Sequence, residues 1–272
     1  MTERISIVTD EISTDLAVCR DFLDRHGVGA VELRCVGEGR APDLAPADRR
    51  TLRAWARAAA PAIIGVSPGL FQCAPDDRKT IRDHLRERLP RALDLARDIS
   101  ARFVVAFSFE PGAPDPSTAF PSAALDALAA AADEAAAAGL PLLVENEPGF
   151  LACTGEETAA LLEAVGHESL FANWDPANAG DLGREALARG LRALAPRLAH
   201  VHVKNGRTRP GRRFPVYGPL GAGDIDWPAH LALLDALGYT GYLGVETHHE
   251  PRLEASAIVL AELRALRVGT GR

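Results

Sequence analysis

The chain has 272 residues, 47% hydrophobic and 25% charged, which suits one large α/β domain with a sizeable core. Its net charge of −7 comes from 37 acidic and 30 basic side chains. That balance argues against nucleic acid as the main partner, because phosphate backbones call for a basic face.

Short aliphatic or β-branched runs recur along the chain, at Ile5–Thr9, Ala30–Arg34, Ala62–Val66, Phe103–Phe107, Leu142–Glu145, Leu170–Trp174, Ala199–Val203 and Tyr242–Glu246. Segments of helical periodicity lie between them. The clearest is Pro121–Gly139, which opens at a proline and closes at a glycine two residues before Pro141. Another is Asp226–Gly238, with Asp226 as its N-cap. The runs are apolar throughout, as in a parallel sheet covered on both faces. Strand–helix alternation repeated eight times predicts a single (β/α)8 TIM barrel over residues 1–272. The first strand is followed by Thr9-Asp10-Glu11-Ile12-Ser13, which lacks the glycine fingerprint of a dinucleotide-binding sheet. The longest loop, 205–223, is rich in Gly, Pro and Arg, and a loop of that length inside a compact domain is usually functional.

No apolar run approaches the roughly 20 residues of a membrane span. The first residues run into a strand with no signal-peptide pattern. Cys19, Cys35, Cys73 and Cys153 are scattered without a Cys-x-x-Cys spacing, so they read as reduced thiols. The expected setting is the cytoplasm, with no membrane or nucleic-acid partner, and with a homodimer or a partner subunit as the default assembly.

Chemistry in such a barrel sits at the C-terminal ends of the strands. Those ends carry Asp10 and Glu11, Glu32 and Arg34, Ser67, Ser108 and Glu110, Glu145 to Glu147, Asp175 and Asn178, His200 to Lys204, and Glu246 to His249. Several acids converging on one rim repel each other, and burying each costs several kcal/mol unless a partner offsets it. A divalent cation resolves the conflict. Glu145, Asp175, His202 and Glu246 come from four consecutive strands and can surround one point. Three carboxylates and one imidazole suit Mn²⁺ or Mg²⁺, with Co²⁺ or Zn²⁺ as alternatives. Taken singly, each residue reads equally well as a helix cap, a rim salt bridge or a satisfied core histidine.

Val31-Glu32-Leu33-Arg34, Glu145-Asn146-Glu147, Asn173 to Asn178, His200-Val201-His202-Val203-Lys204, Pro219 to Trp227 and Gly244-Val245-Glu246 together resemble the sugar phosphate isomerase/epimerase group of the xylose-isomerase-like barrels. The resemblance implies one divalent metal ion on Glu145, Asp175, His202 and Glu246, and a small sugar-like substrate. It implies Glu145 and Glu246 as the acid/base pair, one on each face of the substrate. Lys204 is expected to stabilise developing negative charge, and Asn178, His200, Glu147 and Arg213 to contact substrate. Arg207, Arg209 and Arg212 share the long loop with Arg213. Many members of the group carry a histidine where this chain has Asn178, and an amide orients a hydroxyl but relays no proton near neutral pH.

The leading expectation is therefore metal-assisted isomerisation or epimerisation of a polyhydroxy carbonyl compound through an enediolate. The same enolate can expel a β-hydroxyl, as inosose and dehydroshikimate dehydratases of the group do, and related barrels serve as subunits that cleave carbon-linked glycosides. A non-catalytic metal-binding subunit is the third alternative. Endonuclease IV, which shares the barrel, needs a three-zinc cluster with more histidines than these strand ends supply. Specificity is expected among Phe71, Phe107, Phe109, Phe150, Trp174 and Tyr217.

Overall fold

A computed structural model describes residues 4–58, 60–111, 120–179 and 182–269. The aliphatic runs form eight parallel strands: β1 (Ile5–Val8), β2 (Ala30–Leu33), β3 (Ala62–Leu70), β4 (Phe103–Phe107), β5 (Leu142–Glu145), β6 (Leu170–Trp174), β7 (Leu198–Val203) and β8 (Leu243–Val245). Each pairs with its neighbours in chain order, and β1 closes the barrel on β8 with Ile5 opposite Leu243. β3 runs past the expected Val66 to Leu70, because a register shift between Val66 and Leu70 carries the strand through Ser67-Pro68-Gly69.

Helices cover the outside: α1 (Leu16–His26), α2 (Pro46–Ala58), α3 (Arg78–Asp83), α4 (Leu89–Asp98), α5 (Ser122–Ala137), α6 (Gly155–Val165), α7 (Gly183–Leu194), α8 (Trp227–Ala236) and α9 (Arg252–Gly269). Local chemistry sets their ends. Asp226 caps α8 by accepting from the Ala229 amide at 3.0 Å, as expected for an N-cap. Thr154 and Glu157 form a reciprocal capping box on α6. After α5 the chain turns at Gly139, whose φ of 75° suits glycine.

The main core lies between the sheet and the helices. A smaller one fills the barrel floor with Ala30, Ile64, Phe103, Val105 and Leu143. There the Phe103 ring occupies the space of a side chain at Gly65, whose Cβ would meet it at 2.1 Å. The long loop expected over 205–223 folds back as a hairpin, Asn205–Arg207 against Val216–Gly218, followed by a short turn at Leu220–Ala222. Asn205 pins it by donating to the Leu220 and Ile225 carbonyls and accepting from the Ile225 amide. Among the described residues, no helix is long and apolar enough to cross a membrane.

Candidate metal centre

Strand ends bring four ligand-type residues to one point. Glu145 ends β5, Asp175 follows β6, His202 is the penultimate residue of β7, and Glu246 follows β8. All four are buried, and one donor atom from each lies within 4.8 Å of the others. His202 Nδ1 stands 3.1 Å from Glu145 Oε1, 3.4 Å from Glu246 Oε2 and 4.0 Å from Asp175 Oδ2.

Local hydrogen bonds aim Asp175. Its Oδ1 accepts from the Ala177 and Asn178 amides at 2.9 and 3.2 Å, which closes the turn after β6. The Asn146 side chain accepts from the Asp175 amide and donates to the Asp175 carbonyl, both at 2.8 Å. Asp175 Oδ2 is left pointing into the cluster. Lys204 Nζ comes within 2.8 Å of it but off the hydrogen-bonding direction, so this buried oxygen accepts no hydrogen bond. Lys204 offsets its charge, but the oxygen still accepts no hydrogen bond, and a cation at the centre of the four residues would complete its coordination. The donor set therefore fits a divalent ion.

Charges around the cluster are unequal. Glu246 meets Lys204 Nζ at 2.7 Å on Oε2, and Arg34 and His248 on Oε1. Burial would raise its carboxyl, but Lys204, His248, His202 and Arg34 outweigh that and hold it well below the usual carboxylate range. Glu145 has His202 as its near cation; there burial prevails and the carboxyl is raised. His202 and Lys204 would both be lowered by burial. The carboxylates around them overcome this, and each stays well above its ordinary value.

Lys204 belongs to the cluster itself, 1% exposed between Asp175 and Glu246. Asn178 is buried beside it and donates to Glu147 Oε2 at 2.9 Å and to the Asn146 carbonyl, while its own Oδ1 has no partner. Burial, only partly offset by Lys204, pushes the Glu147 carboxyl up to about 8. His200 does not reach the mouth. It is fully buried one layer below, against the Phe103 ring and within 3.2 Å of Glu32. Strand alternation sends both imidazoles inward, but only the second stands level with the strand ends. Arg213 lies on the rim, its Nε donating to the Pro148 carbonyl and its guanidinium over the Phe150 and Phe214 rings. Arg207, Arg209 and Arg212 are exposed.

The aromatic candidates divide. Tyr217 stands beside the centre, near the His248 ring and the Lys204 ammonium. Trp174 faces outward and donates to His230 on α8. Phe71 and Phe109 stack in the core, and Phe107 packs on Phe150.

Arg34, Asp10, Glu11 and His248 also stand at strand ends around the cluster. Arg34 donates to both Asp10 oxygens at 3.0 Å, to Glu11 at 2.6 Å, and to Glu246. Glu11 also accepts from Thr247 Oγ1 and the His248 amide. Position at a strand end marks all of them; pairing across the barrel seam does not show in sequence.

A sequence model of the family described as xylose isomerase-like TIM barrel matches residues 21–267. The chain belongs to this family. The inosose dehydratase of Clostridium perfringens (strain 13 / Type A) is 28% identical over 128 residues, which span 42% of this chain and 43% of that one. The match thus covers less than half the length of this curated relative. Among solved structures, an L-ribulose 3-epimerase superposes with a TM-score of 0.74 at 20% identity, over 99% of this chain and 97% of the other. The IOLI protein, with a bound zinc atom, gives a TM-score of 0.77 at 17% identity, over 98% and 97%. At these identities the structural likenesses speak for the fold.

Proposed function

We propose that the protein is a divalent-metal-dependent enzyme that isomerises or epimerises a sugar or related polyhydroxy carbonyl compound by moving a proton on carbon. The observation that carries this is the convergence of Glu145, Asp175, His202 and Glu246, with Asp175 Oδ2 turned into their midst without a hydrogen bond. Mn²⁺ or Mg²⁺ suits three carboxylates and an imidazole, and Zn²⁺ or Co²⁺ also fits the set. When bound, the ion supplies Lewis-acid polarisation of a substrate carbonyl.

The chain's own groups do the rest. Glu145 and Glu246 stand at the ends of β5 and β8 and act as the acid/base pair, one removing the proton next to the carbonyl and the other returning one. Lys204 places a fixed positive charge where the substrate oxygen becomes an oxyanion. Asn178 presents an acceptor oxygen that no protein group uses, suited to a substrate hydroxyl. Glu147, held by Asn178, and Arg213 on the rim complete the substrate contacts.

Solvent-deuterium uptake into a panel of ketoses and keto-polyols tests the assignment. Glu145→Gln and Glu246→Gln should each abolish uptake, with circular dichroism unchanged and bound Mn²⁺ measured in parallel. Retained exchange in both variants sinks the acid/base roles. A dehydratase is the second reading, favoured by Asn178 in place of a titratable group and by the likeness to inosose dehydratase. Product mass separates the two, since dehydration loses water.

A further inference from the structure

Beneath the four ligands, one carboxylate is buried in the barrel interior, beside the polar side chains of His200 and Asn173. Glu32 projects from β2 across to β7, where Ala30, Ile64, Phe103, Val105 and Leu143 form the floor. It is 1% exposed. Among the described residues its polar neighbours are His202 Nε2 at 3.0 Å and His200 Nε2 at 3.2 Å, both on Oε2. A buried carboxylate costs several kcal/mol unless it is paired, so an aliphatic side chain would suit this floor better if filling space were its task.

The geometry of His202 shows what the acid does. Its ring has a carboxylate on each side: Nδ1 faces Glu145, Glu246 and Asp175, and Nε2 faces Glu32 at 3.0 Å, with the Asn173 side-chain nitrogen farther off, 3.3 Å from Nε2 and 3.5 Å from Nδ1. A neutral imidazole carries one proton, and the partner of one nitrogen decides which nitrogen is free to ligate. The chain makes room for this ring and for His200 at Gly244, where a Cβ would fall 2.6 Å from His200 Nε2 and 3.3 Å from His202 Cδ2.

We propose that Glu32 is a positioning residue: by accepting the Nε2 proton of His202 it fixes the tautomer that turns the Nδ1 lone pair toward Glu145, Asp175 and Glu246, where the divalent ion binds. This rests on the metal-centre reading above. Glu32 touches neither ion nor substrate; it acts through His202.

The test is a Mn²⁺ titration of the full chain, with free ion read by electron paramagnetic resonance, for the wild type, Glu32→Gln and Glu32→Leu. The wild type should bind one ion per chain. Glu32→Leu should bind about 10- to 100-fold more weakly, the usual size of such an effect. Glu32→Gln should recover most of that loss, because its amide oxygen still accepts from Nε2–H. In the Zn²⁺-loaded wild type, ¹⁵N resonances of His202 should show Nδ1 ligated and Nε2 protonated. Ligation through Nε2 overturns the proposal, as does wild-type affinity in Glu32→Leu, or a second Mn²⁺ per chain that is lost with Glu32. Should Glu32→Leu fail to fold, the wild-type ¹⁵N spectrum decides alone. A wild type that binds no Mn²⁺ removes the metal reading itself; one ion bound equally by all three proteins removes only the role of Glu32.

Discussion

Lys204→Met isolates the charge balance of the centre. The ammonium is 2.8 Å from Asp175 Oδ2 and 2.7 Å from Glu246 Oε2, and only 1% of the residue is exposed. Methionine keeps most of the side-chain volume and removes the charge. Glu246 then retains Arg34 and His248, but the nearest remaining cation to Asp175 Oδ2 is His202 at 4.0 Å. Removing one partner of a buried charge pair costs about 3–5 kcal/mol. For a domain of this size each kcal/mol moves Tm by about 2–4 °C, which predicts a fall of roughly 6–20 °C in EDTA-treated protein. A divalent ion supplies positive charge to the same carboxylates. Saturating Mn²⁺ should therefore raise the Tm of Lys204→Met by more than that of the wild type. Differential scanning calorimetry of both proteins with EDTA and with Mn²⁺ reads both numbers. A variant within about 2 °C of the wild type without metal, or an equal Mn²⁺ shift in the two proteins, would refute the reasoning.

Two predictions concern the barrel around the centre. His230 accepts a hydrogen bond from Trp174 Nε1 at 3.0 Å, and burial pushes its imidazole down to about 4, with Asp226 opposing; Arg184 and Arg192 of α7 line the same groove. The unfolded imidazole titrates near 6.5, so between that pH and about 4 only the unfolded chain takes up the proton. The contribution to stability is complete above that window and shrinks as pH falls through it, by about 2 kcal/mol at pH 5. In urea melts, His230→Gln, which keeps an acceptor for Trp174 but does not titrate, should lose that much less stability between pH 7 and 5; an equal loss contradicts the assignment. Where α6 meets α7, a Cβ at Gly155 would fall 2.7 Å from the Gly190 backbone. Gly155→Ala should cost about 1–3 kcal/mol by overpacking, read as a lower urea midpoint. A gain of about 0.5–1 kcal/mol, as helix propensity alone would give, means that the two helices do not meet this closely.

The barrel was legible because each strand is an aliphatic run long enough to be buried on both faces, and the four candidate ligands, three acids and His202, were legible because they stand where such a run stops. Breaker residues hid the rest. Ser67-Pro68-Gly69 reads as the end of β3, yet the strand resumes at Leu70 through an irregular register. The arms of the 205–218 hairpin, Asn-Gly-Arg and Val-Tyr-Gly, are three residues each and too short to show alternation. Alternation on His200-Val201-His202 told which way both rings point but not how deep each lies, so His200 was expected at the substrate and stands instead beside Phe103. The salt-bridge network was out of reach for a topological reason. Closure pairs β1 with both β8 and β2, Ile5 opposite Leu243 and Ile7 opposite Val31. The residues just beyond these three strands, Glu11, Arg34 and Glu246, become neighbours only across that seam. Arg34 then bridges Glu11, just past β1, to Glu246, just past β8, so the placement of Glu246 depends on strands at both ends of the chain. A candidate ligand can be read from its own strand end, but what holds it in place belongs to the closed barrel.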